Sequence, residues 1–247
     1  MKTKISLFLL FISTTIFSQN QESIQTDRPD QTETATLVAK GMFQVETGFS
    51  VQKNDVNSTT QTLPSTLWKY GVNDHFELRL ITEFTHEKLF NEKVSGFNPI
   101  LIGCKIKIAD QKGIVPKTSF IGHISLPNVA SKEFKSEYFA PEFRFVMQHT
   151  LSKKVSLSYN LGAEWDGFSP EPTFIYTVAT GYSITEKIGS YIELFGFAPQ
   201  QQTANHNFDG GFTYLISSNF MVDASAGVGI TENAPDHYWA LGFSFRL

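Results

Sequence analysis

The segment TDRPDQTET, at residues 26–34, brings four charged side chains close together in sequence. Asp27, Asp30 and Glu33 carry carboxylates that could exchange protons in general acid–base chemistry or supply oxygen ligands to Ca²⁺. An EF-hand-like calcium loop has ligands at closer, alternate positions and a central glycine, and this segment lacks both. A catalytic cluster, a cation site and a segment without chemistry are all open, and the choice depends on the elements that follow.

Other metal-binding patterns are weak. The six histidines are scattered without an HxxH or HxH pair, and Cys104 is the single cysteine. One cysteine cannot form an intrachain disulfide, and structural zinc sites draw on clustered Cys and His residues. The sequence therefore predicts no metal ion and no cofactor.

The amino terminus has the pattern of a secretory signal peptide. Two lysines precede an apolar run that ends at Phe17, and the small residue Ser18 follows. The run is shorter than the ~20 apolar residues that a membrane-spanning helix needs. We therefore predict a signal peptide at residues 1–18 and an exported mature chain.

The charge balance excludes one class of partner. The chain has 20 Lys and Arg residues against 24 Asp and Glu, a net charge of −4. Binding of phosphate backbones requires clustered positive charge, so we predict that nucleic acid is not a partner. No Pro- or Ser-rich linker divides the exported part, which predicts one domain at residues 42–247 after an amino-terminal segment at residues 19–41.

Apolar and polar residues alternate one by one along most of the chain. The alternation is clearest at residues 43–52 (FQVETGFSVQ), 75–84, 154–165 and 220–230. Successive side chains of a strand point to opposite faces, so each segment has one apolar and one polar face. Weaker examples lie near 60–72, 97–109, 117–127, 138–151, 172–185, 188–198, 206–217 and 237–247. Together these segments predict about twelve strands.

The connections between the segments are alternately short and long. The short set comprises VND, SKK, TEK and SSN, with DQKGIVP the longest of them. The long set lies at 54–60, 89–95, 128–136, 167–171, 200–206 and 231–236. This predicts an all-β, up-and-down antiparallel barrel with tight turns at one rim and longer loops at the other.

The composition of the two faces points to a membrane barrel. The polar face is rich in Gly, Ser, Thr and Asn rather than charge, and aromatic residues stand at strand ends, which is typical of outer-membrane barrels. Hydrocarbon satisfies no backbone hydrogen bond, so a sheet that crosses it must close on itself. We predict a transmembrane β-barrel with short periplasmic turns and longer extracellular loops. A secreted β-sandwich or lipocalin-like barrel is the alternative.

The carboxy terminus supports the membrane prediction. In YWALGFSFRL, alternate residues from Trp239 to Leu247 are apolar. The strand resembles the signal that the barrel-insertion machinery of Gram-negative bacteria reads, except that it ends in Leu rather than an aromatic residue. The predicted location is the cell outer membrane, with the lipid bilayer and the insertion machinery as partners.

Residues 23–49, SIQTDRPDQTETATLVAKGMFQVETGF, resemble the opening of a family of bacterial outer-membrane proteins called "Putative MetA-pathway of phenol degradation", or simply transporters. The phrase KG-x-FQ-x-E-x-G, here from Lys40 to Gly48, leads into the first strand of such chains. The resemblance implies a barrel that passes small molecules, including hydrophobic or aromatic ones.

Charged residues on the polar faces are candidate pore-lining residues. By the alternation they are Glu46, Glu77, Arg79, Glu83, Lys105, Lys107, Glu142, Arg144, Glu164, Asp223 and Arg246. A barrel of about twelve strands has an interior between that of a filled eight-stranded barrel and that of a wide porin. Such charges could line a narrow aqueous path and select solutes, or pair with one another and fill the interior.

A lipid-modifying enzyme is the alternative function. His123 and Ser125 share a strand face, and a histidine beside a serine can activate the hydroxyl as a nucleophile. Their neighbours on that face, Ser119 and Ile121, favour the lumen over the outer wall where lipid is found. We therefore predict no catalytic residue and no enzyme.

With the barrel in place, the charged segment acquires a structural role. Asp27, Arg28, Asp30 and Glu33 could pair with the charges of the lumen, while Pro29 prevents a helix or ladder strand. We predict that the segment tucks into or across the periplasmic mouth as a plug or tether, with a solvated leader as the alternative. The predicted function is a passive channel for a small-molecule solute, and a closed structural barrel with partner-binding loops is a further alternative.

Overall fold

The computed structural model describes residues 22–247, and the predicted signal peptide lies outside them. The described residues form thirteen strands and one short 3₁₀ turn, Lys132–Phe134. The strands are β1 (Phe43–Asp55), β2 (Ser58–Asn73), β3 (Phe76–Leu89), β4 (Glu92–Phe97), β5 (Ile100–Ala109), β6 (Lys117–Leu126), β7 (Ala140–Thr150), β8 (Val155–Glu164), β9 (Thr173–Ser183), β10 (Ile188–Pro199), β11 (Asn205–Ser217), β12 (Phe220–Gly229) and β13 (His237–Arg246). Among residues 22–247, no helix is long and apolar enough to cross a membrane.

The sheet closes on itself. Every strand pairs antiparallel with its neighbours, and β13 returns to β1 in a continuous register from Gln44 opposite Arg246 to Lys53 opposite His237. The N–H of Phe43 donates to the carbonyl of Leu247 (3.0 Å), and the N–H of Leu247 donates back (2.8 Å). The prediction of an all-β, up-and-down barrel of about twelve strands is confirmed.

The thirteenth strand results from a break in the wall. β4 and β5 both run antiparallel to β3, β4 along the half that begins at Phe84 and β5 along the half that ends at Ile81. The break lies at Asn98 and Pro99, because proline has no N–H to donate to a ladder. Twelve strands therefore close the barrel, and β4 extends its wall at one rim.

The alternation sets the two surfaces of the wall. Leu78, Ile192 and Leu241 point outward and are 48%, 58% and 63% exposed, respectively. The inward side chains between such residues are buried and mostly polar. The largest fully buried side chains in the described part of the chain include Lys69, Lys105, Gln44, Glu46, Glu77 and Glu193. The molecule is thus apolar outside and polar inside, the reverse of a water-soluble domain.

The connections follow the predicted alternation with two corrections. The sequence predicts loops at residues 54–60 and 89–95, but β1 and β2 meet at a two-residue turn, and β3 and β4 meet at Phe90 and Asn91. The β-branched threonines of STTQT favour a ladder, and Phe90 adopts the left-handed conformation (φ 53°) that a tight turn needs. The rim with both termini (the termini end) has the short turns, and the opposite rim (the loop end) has the long connections.

Residues 22–42, called here the lumen segment, run inside the barrel. The N–H of Ile24 donates to the carbonyl of Ser218 in the turn between β11 and β12, which places the start of the segment at the termini end. The chain then crosses the lumen and returns, since the N–H of Gly41 donates to the carbonyl of Gly71 near the end of β2. At Phe43 it enters β1.

Candidate functional site: a charged segment inside the barrel

Asp27 is the centre of a buried ion-pair network. Its carboxylate accepts hydrogen bonds from Lys69 Nζ (2.8 Å), Arg79 Nη1 (3.0 Å) and Lys105 Nζ (2.9 Å). These three cations come from the adjacent strands β2, β3 and β5, and the register sets Lys69 directly opposite Arg79. Neighbouring inward positions at one height of the barrel thus converge on a single carboxylate.

The charge of Asp27 is stabilised by these partners. Burial alone would raise the pKa of Asp27, but the positive charges of Lys105, Lys69 and Arg79 outweigh it and hold that pKa well below its ordinary value. Asp27 is therefore ionised, and each of its cationic partners depends on it for compensation. Removing one partner of a buried ion pair typically costs about 3–5 kcal/mol, because an uncompensated charge stays behind.

Further carboxylates extend the network. Glu33 of the lumen segment accepts a hydrogen bond from Arg79 Nη2 at 2.6 Å, and Glu77 accepts one from Arg79 Nη1 at 3.2 Å. Glu46 forms an ion pair with Lys69 and also accepts a hydrogen bond from the N–H of Asp27 at 2.9 Å. Four carboxylates thus surround the cations of β2, β3 and β5.

The wall also satisfies the irregular backbone of the lumen segment. Amide N–H groups of the segment donate to inward side chains: that of Gln31 to Glu193 (2.8 Å), that of Glu33 to Asn160 (2.7 Å) and that of Val38 to Glu77 (2.7 Å). Buried backbone groups need such partners, and non-helical backbone at membrane depth is tolerated where protein surrounds it. The segment is therefore fixed along its length.

Arg28 is held against strands β1, β12 and β13, next to the strands whose cations bind Asp27. Its Nη2 donates to Asp223 of β12 at 2.8 Å, and its Nε lies 3.4 Å from the same carboxylate. The guanidinium lies against Gly48 of β1 and Gly242 of β13, where a Cβ would come within 1.9 Å and 2.4 Å of it. Arg28 thus occupies space that two glycines leave open.

A second group of carboxyls lies next to Arg28. Glu193 of β10 and Asp209 of β11 face each other across the ladder, and Asp209 accepts hydrogen bonds from the hydroxyls of Tyr191 (3.0 Å) and Tyr238. Burial, and then the negative charges of Glu193 and Asp209, raise the pKa of Asp30 well above its ordinary value. The carboxyls of Asp30, Glu193, Asp209 and Asp223 thus lie in the part of the lumen bounded by β10–β13 and the lumen segment, together with the guanidinium of Arg28.

The eleven predicted pore-lining residues divide into two groups. Those that contact the lumen segment are Glu46, Glu77, Arg79, Lys105, Arg144, Asp223 and Arg246. Glu83, Glu142 and Glu164 line a cavity of about 330 Å³ at the loop end, and Lys107 pairs with Asp110 at the termini end. Within the part of the chain that the structure describes, most of the predicted charges thus bind the segment.

Sequence reasoning missed several residues that hold the segment. Lys69, Asn160 and Glu193 bind the segment from inward faces. Counting every second residue along the paired strands, starting from a predicted inward residue such as Arg79, could have found them. The inward face of β10 hid Glu193, because its neighbours there are aromatic rather than polar. The register of the strands, which a single sequence does not give, was the missing information.

The lumen position of His123 is unfavourable for lipid chemistry. Its Nε2 accepts a hydrogen bond from Arg79 Nε at 3.1 Å, and Glu142 lies 3.7 Å from its Nδ1. His123 and Ser125 are both buried inside the barrel. The histidine belongs to the ion-pair network.

Two cavities of the lumen lie on either side of the lumen segment. The termini-end cavity, of about 440 Å³, is lined by small polar residues of β8–β11 such as Ser156, Gly181 and Thr213. The loop-end cavity, of about 390 Å³, is lined by hydroxyl and amide residues of β1 and β2 and by Phe195, Phe197 and Tyr238. Both cavities are bounded by the lumen segment.

Comparison with known proteins decides the family. The family model for "Putative MetA-pathway of phenol degradation" matches residues 26–247. The chain belongs to this family. The resemblance seen in residues 23–49 is therefore confirmed, and the match covers residues 26–247. No curated protein sequence matches the chain.

Solved structures share the fold of this family member at low sequence identity. The COG4313 outer membrane channel from Pseudomonas putida F1 is similar with a TM-score of 0.69 and 10% identity, over 86% of this chain and 98% of that chain. The NanC porin gives 0.54 and 10%, over 83% and 100% of the two chains, and the KdgM porin gives 0.53 and 10%, over 82% and 98%. The architecture is that of outer-membrane barrels.

Proposed function

We propose that this protein is a channel of the outer membrane that passes small molecules through a lumen narrowed by residues 22–42. The observation that carries the proposal is a polar lumen with a cavity toward each rim, inside a wall whose outer face is apolar. An apolar outer face fits the hydrocarbon of a membrane, and a polar lumen with cavities that can hold water fits the passage of dissolved small molecules.

The orientation follows from the two rims. The termini end, with short turns, faces the periplasm, and the loop end faces the exterior, as in outer-membrane barrels generally. The insertion machinery would read the terminal strand β13, which pairs with β1 to close the barrel. The protein's partners are then the lipid bilayer, this machinery and a solute.

The loop-end cavity suggests the kind of solute. Phe195 and Phe197 point into an otherwise polar lumen and stack edge to face with ring centroids 6.0 Å apart. Ser50, Gln52 and Thr62 face them across the cavity. An apolar wall opposite hydrogen-bonding groups fits a small molecule with an apolar ring and a polar substituent.

Liposome swelling tests the channel function. Mature protein refolded into liposomes should admit small neutral solutes faster than protein-free liposomes, with rates that fall as solute size grows. If ion pairs fill the lumen, the barrel is closed and the liposomes should take up no solute. The same preparation assayed for release of fatty acid from phospholipid tests the enzymatic alternative, for which we expect no activity.

A further inference from the structure

The termini-end cavity and the loop-end cavity meet at the same stretch of the lumen segment. Arg28 and Pro29 line both the termini-end cavity and the loop-end cavity. Asp30 adds to the lining of the termini-end cavity, and Gln31 adds to that of the loop-end cavity. Residues 28–31, called here the partition, therefore separate the termini-end cavity from the loop-end cavity.

The side chain of Arg28 is held less firmly than the carboxylates on either side of it. Asp27 binds three cations whose side chains are at most 1% exposed, and Glu33 pairs with two of them. Arg28 forms an ion pair with a single carboxylate, that of Asp223, and 21% of its own side chain is exposed. A partly exposed pair is weaker than a buried network, so the guanidinium is the part of the segment that leaves its site most readily.

The wall contains a site built for this guanidinium. Gly48, Gly242 and Asp223 stand side by side in register across β1, β13 and β12, and we call these three residues the arginine cradle. At each glycine the three atoms nearest to an added Cβ all belong to Arg28. Both glycines have ordinary strand backbone, so the space for Arg28, rather than a special φ, requires their small size.

Arg28 also contributes to the charge of the passage, because carboxyl groups surround it. Asp30, Glu193, Asp209 and Asp223 place carboxyl groups around the partition, and Arg28 is the one cation within the partition itself. The charge of a narrow lining selects the solutes that pass it. Loss of the guanidinium would leave the carboxylate of Asp223 unpaired beside the passage, and an unpaired negative charge there favours cations.

From these observations we propose that Arg28, docked in the arginine cradle, is the residue that controls both the width and the charge preference of the passage between the two cavities. The passage runs beside β10–β13, between the partition and the wall that carries Tyr191 and Tyr238. The network around Asp27 keeps the remainder of the segment in place while the passage opens. This inference rests on the proposed channel function.

Single-channel recording in planar bilayers tests the proposal with two kinds of variant. Arg28→Ala removes the guanidinium, while Gly242→Ala keeps it but fills its site. Arg28→Ala should raise the conductance by about twofold, because the narrowest section widens, whereas Gly242→Ala should lower it, because the displaced guanidinium stays in the passage. Only Arg28→Ala should shift the reversal potential in a salt gradient strongly toward cation selectivity.

Two matched controls separate these effects from general ones. Lys112→Ala removes the same charge at the termini end, in the exposed turn between β5 and β6, and Lys112 lines neither cavity. Gly122→Ala adds a methyl group that would meet only the Phe120 ring, at 3.3 Å. Both controls should keep the wild-type conductance, and all four variants should remain folded barrels in detergent.

The outcomes distinguish this proposal from the channel function itself. A conducting wild type whose conductance and selectivity are unchanged in Arg28→Ala and Gly242→Ala would overturn the role of Arg28 and leave the channel intact. Folded wild type and variants that all fail to conduct would overturn both. A silent wild type with conducting Arg28→Ala would support a passage that Arg28 closes.

Discussion

Lys105 in the barrel wall donates a hydrogen bond from Nζ to Oδ1 of Asp27 in the lumen segment at 2.9 Å, although the two residues are 78 positions apart in the sequence. Neither residue could be buried alone, because an isolated charge in the protein interior is too costly. The pair joins an irregular segment to a regular ladder. The first two predictions concern this connection.

Replacing Asp27 should destabilise the folded barrel. Asp27→Asn leaves Lys69, Arg79 and Lys105 without their shared carboxylate, and we expect a loss of about 3 kcal/mol, since Glu33, Glu46 and Glu77 still compensate part of the charge. Unfolding in urea, in detergent micelles, measures the change. Asp74→Asn, in the exposed turn between β2 and β3, is the control and should match the wild type. Equal stability of the two variants would contradict a central role for Asp27.

Two lysines on the same face of β5 should respond differently to one substitution. Lys105→Met buries an apolar side chain beside an ionised Asp27 and should lower stability by about 3–5 kcal/mol. Lys107→Met breaks an ion pair with Asp110, which is largely exposed at the rim, and should leave stability unchanged. Urea unfolding of both variants under one set of conditions gives the comparison. A large effect of Lys107→Met would show that exposed rim charges, too, hold the barrel together.

The stability of the folded barrel should depend on pH in part through the protonation of Asp30. Its pKa is raised above 3.8 in the folded protein, so the folded state binds a proton more tightly than the unfolded chain does. The stability contributed by this proton is present below pH 3.8 and is lost as the pH rises through the raised pKa. Glu193, Asp209 and Asp27 face the same group, so the loss is shared.

Asp30→Asn should remove part of this decline and raise stability at neutral pH relative to the wild type. Asp27 has the opposite sign: its pKa is lowered, so its contribution is present above its ordinary pKa and is lost only in strong acid. Unfolding midpoints measured across the pH range separate the two. A wild-type profile that Asp30→Asn leaves unchanged would argue against a raised pKa of Asp30 in the folded protein.

The aromatic wall of the loop-end cavity should affect some solutes more than others. Phe197→Ala removes a ring from this wall, and we expect slower entry of phenol into liposomes, with little change for arabinose, which lacks an aromatic ring. Phe174→Ala, on the outer face one strand away and 52% exposed, is the matched control. Equal effects of both variants on phenol entry would exclude a contact between the solute and Phe197.

The strands could be predicted from the sequence because their side-chain period is local. FQVETGFSVQ shows its two faces without any knowledge of its partners, and β1 begins at Phe43 as expected. The predicted loops at residues 54–60 and 89–95 were too long, because only residues 56–57 and 90–91 are turns and the polar residues beside them belong to the ladder. The strand count and the closed barrel did not depend on this error.

The sequence predicts that the lumen segment pairs with charges of the lumen, but it does not show which residues form each contact. Which residue meets Asp27 depends on strand register, shear and the path of a segment with no period of its own. Arg79 and Lys105 could be predicted because they alternate within clear strands, whereas Lys69 sits between Trp68 and Tyr70 and resembles part of an aromatic stretch. Gly48 and Gly242 gave no signal, because the reason for them is the side chain of Arg28.

A thiol placed on the lumen segment tests most directly whether residues 22–42 narrow the path of the solute. Gln31→Cys, in a Cys104→Ser background, presents its thiol to the loop-end cavity, where Gln31 is exposed. Addition of a bulky, water-soluble thiol reagent during single-channel recording should lower the current in discrete steps, and Cys104→Ser alone should not respond. Complete modification of the introduced thiol with an unchanged current would place the solute path elsewhere and contradict the account.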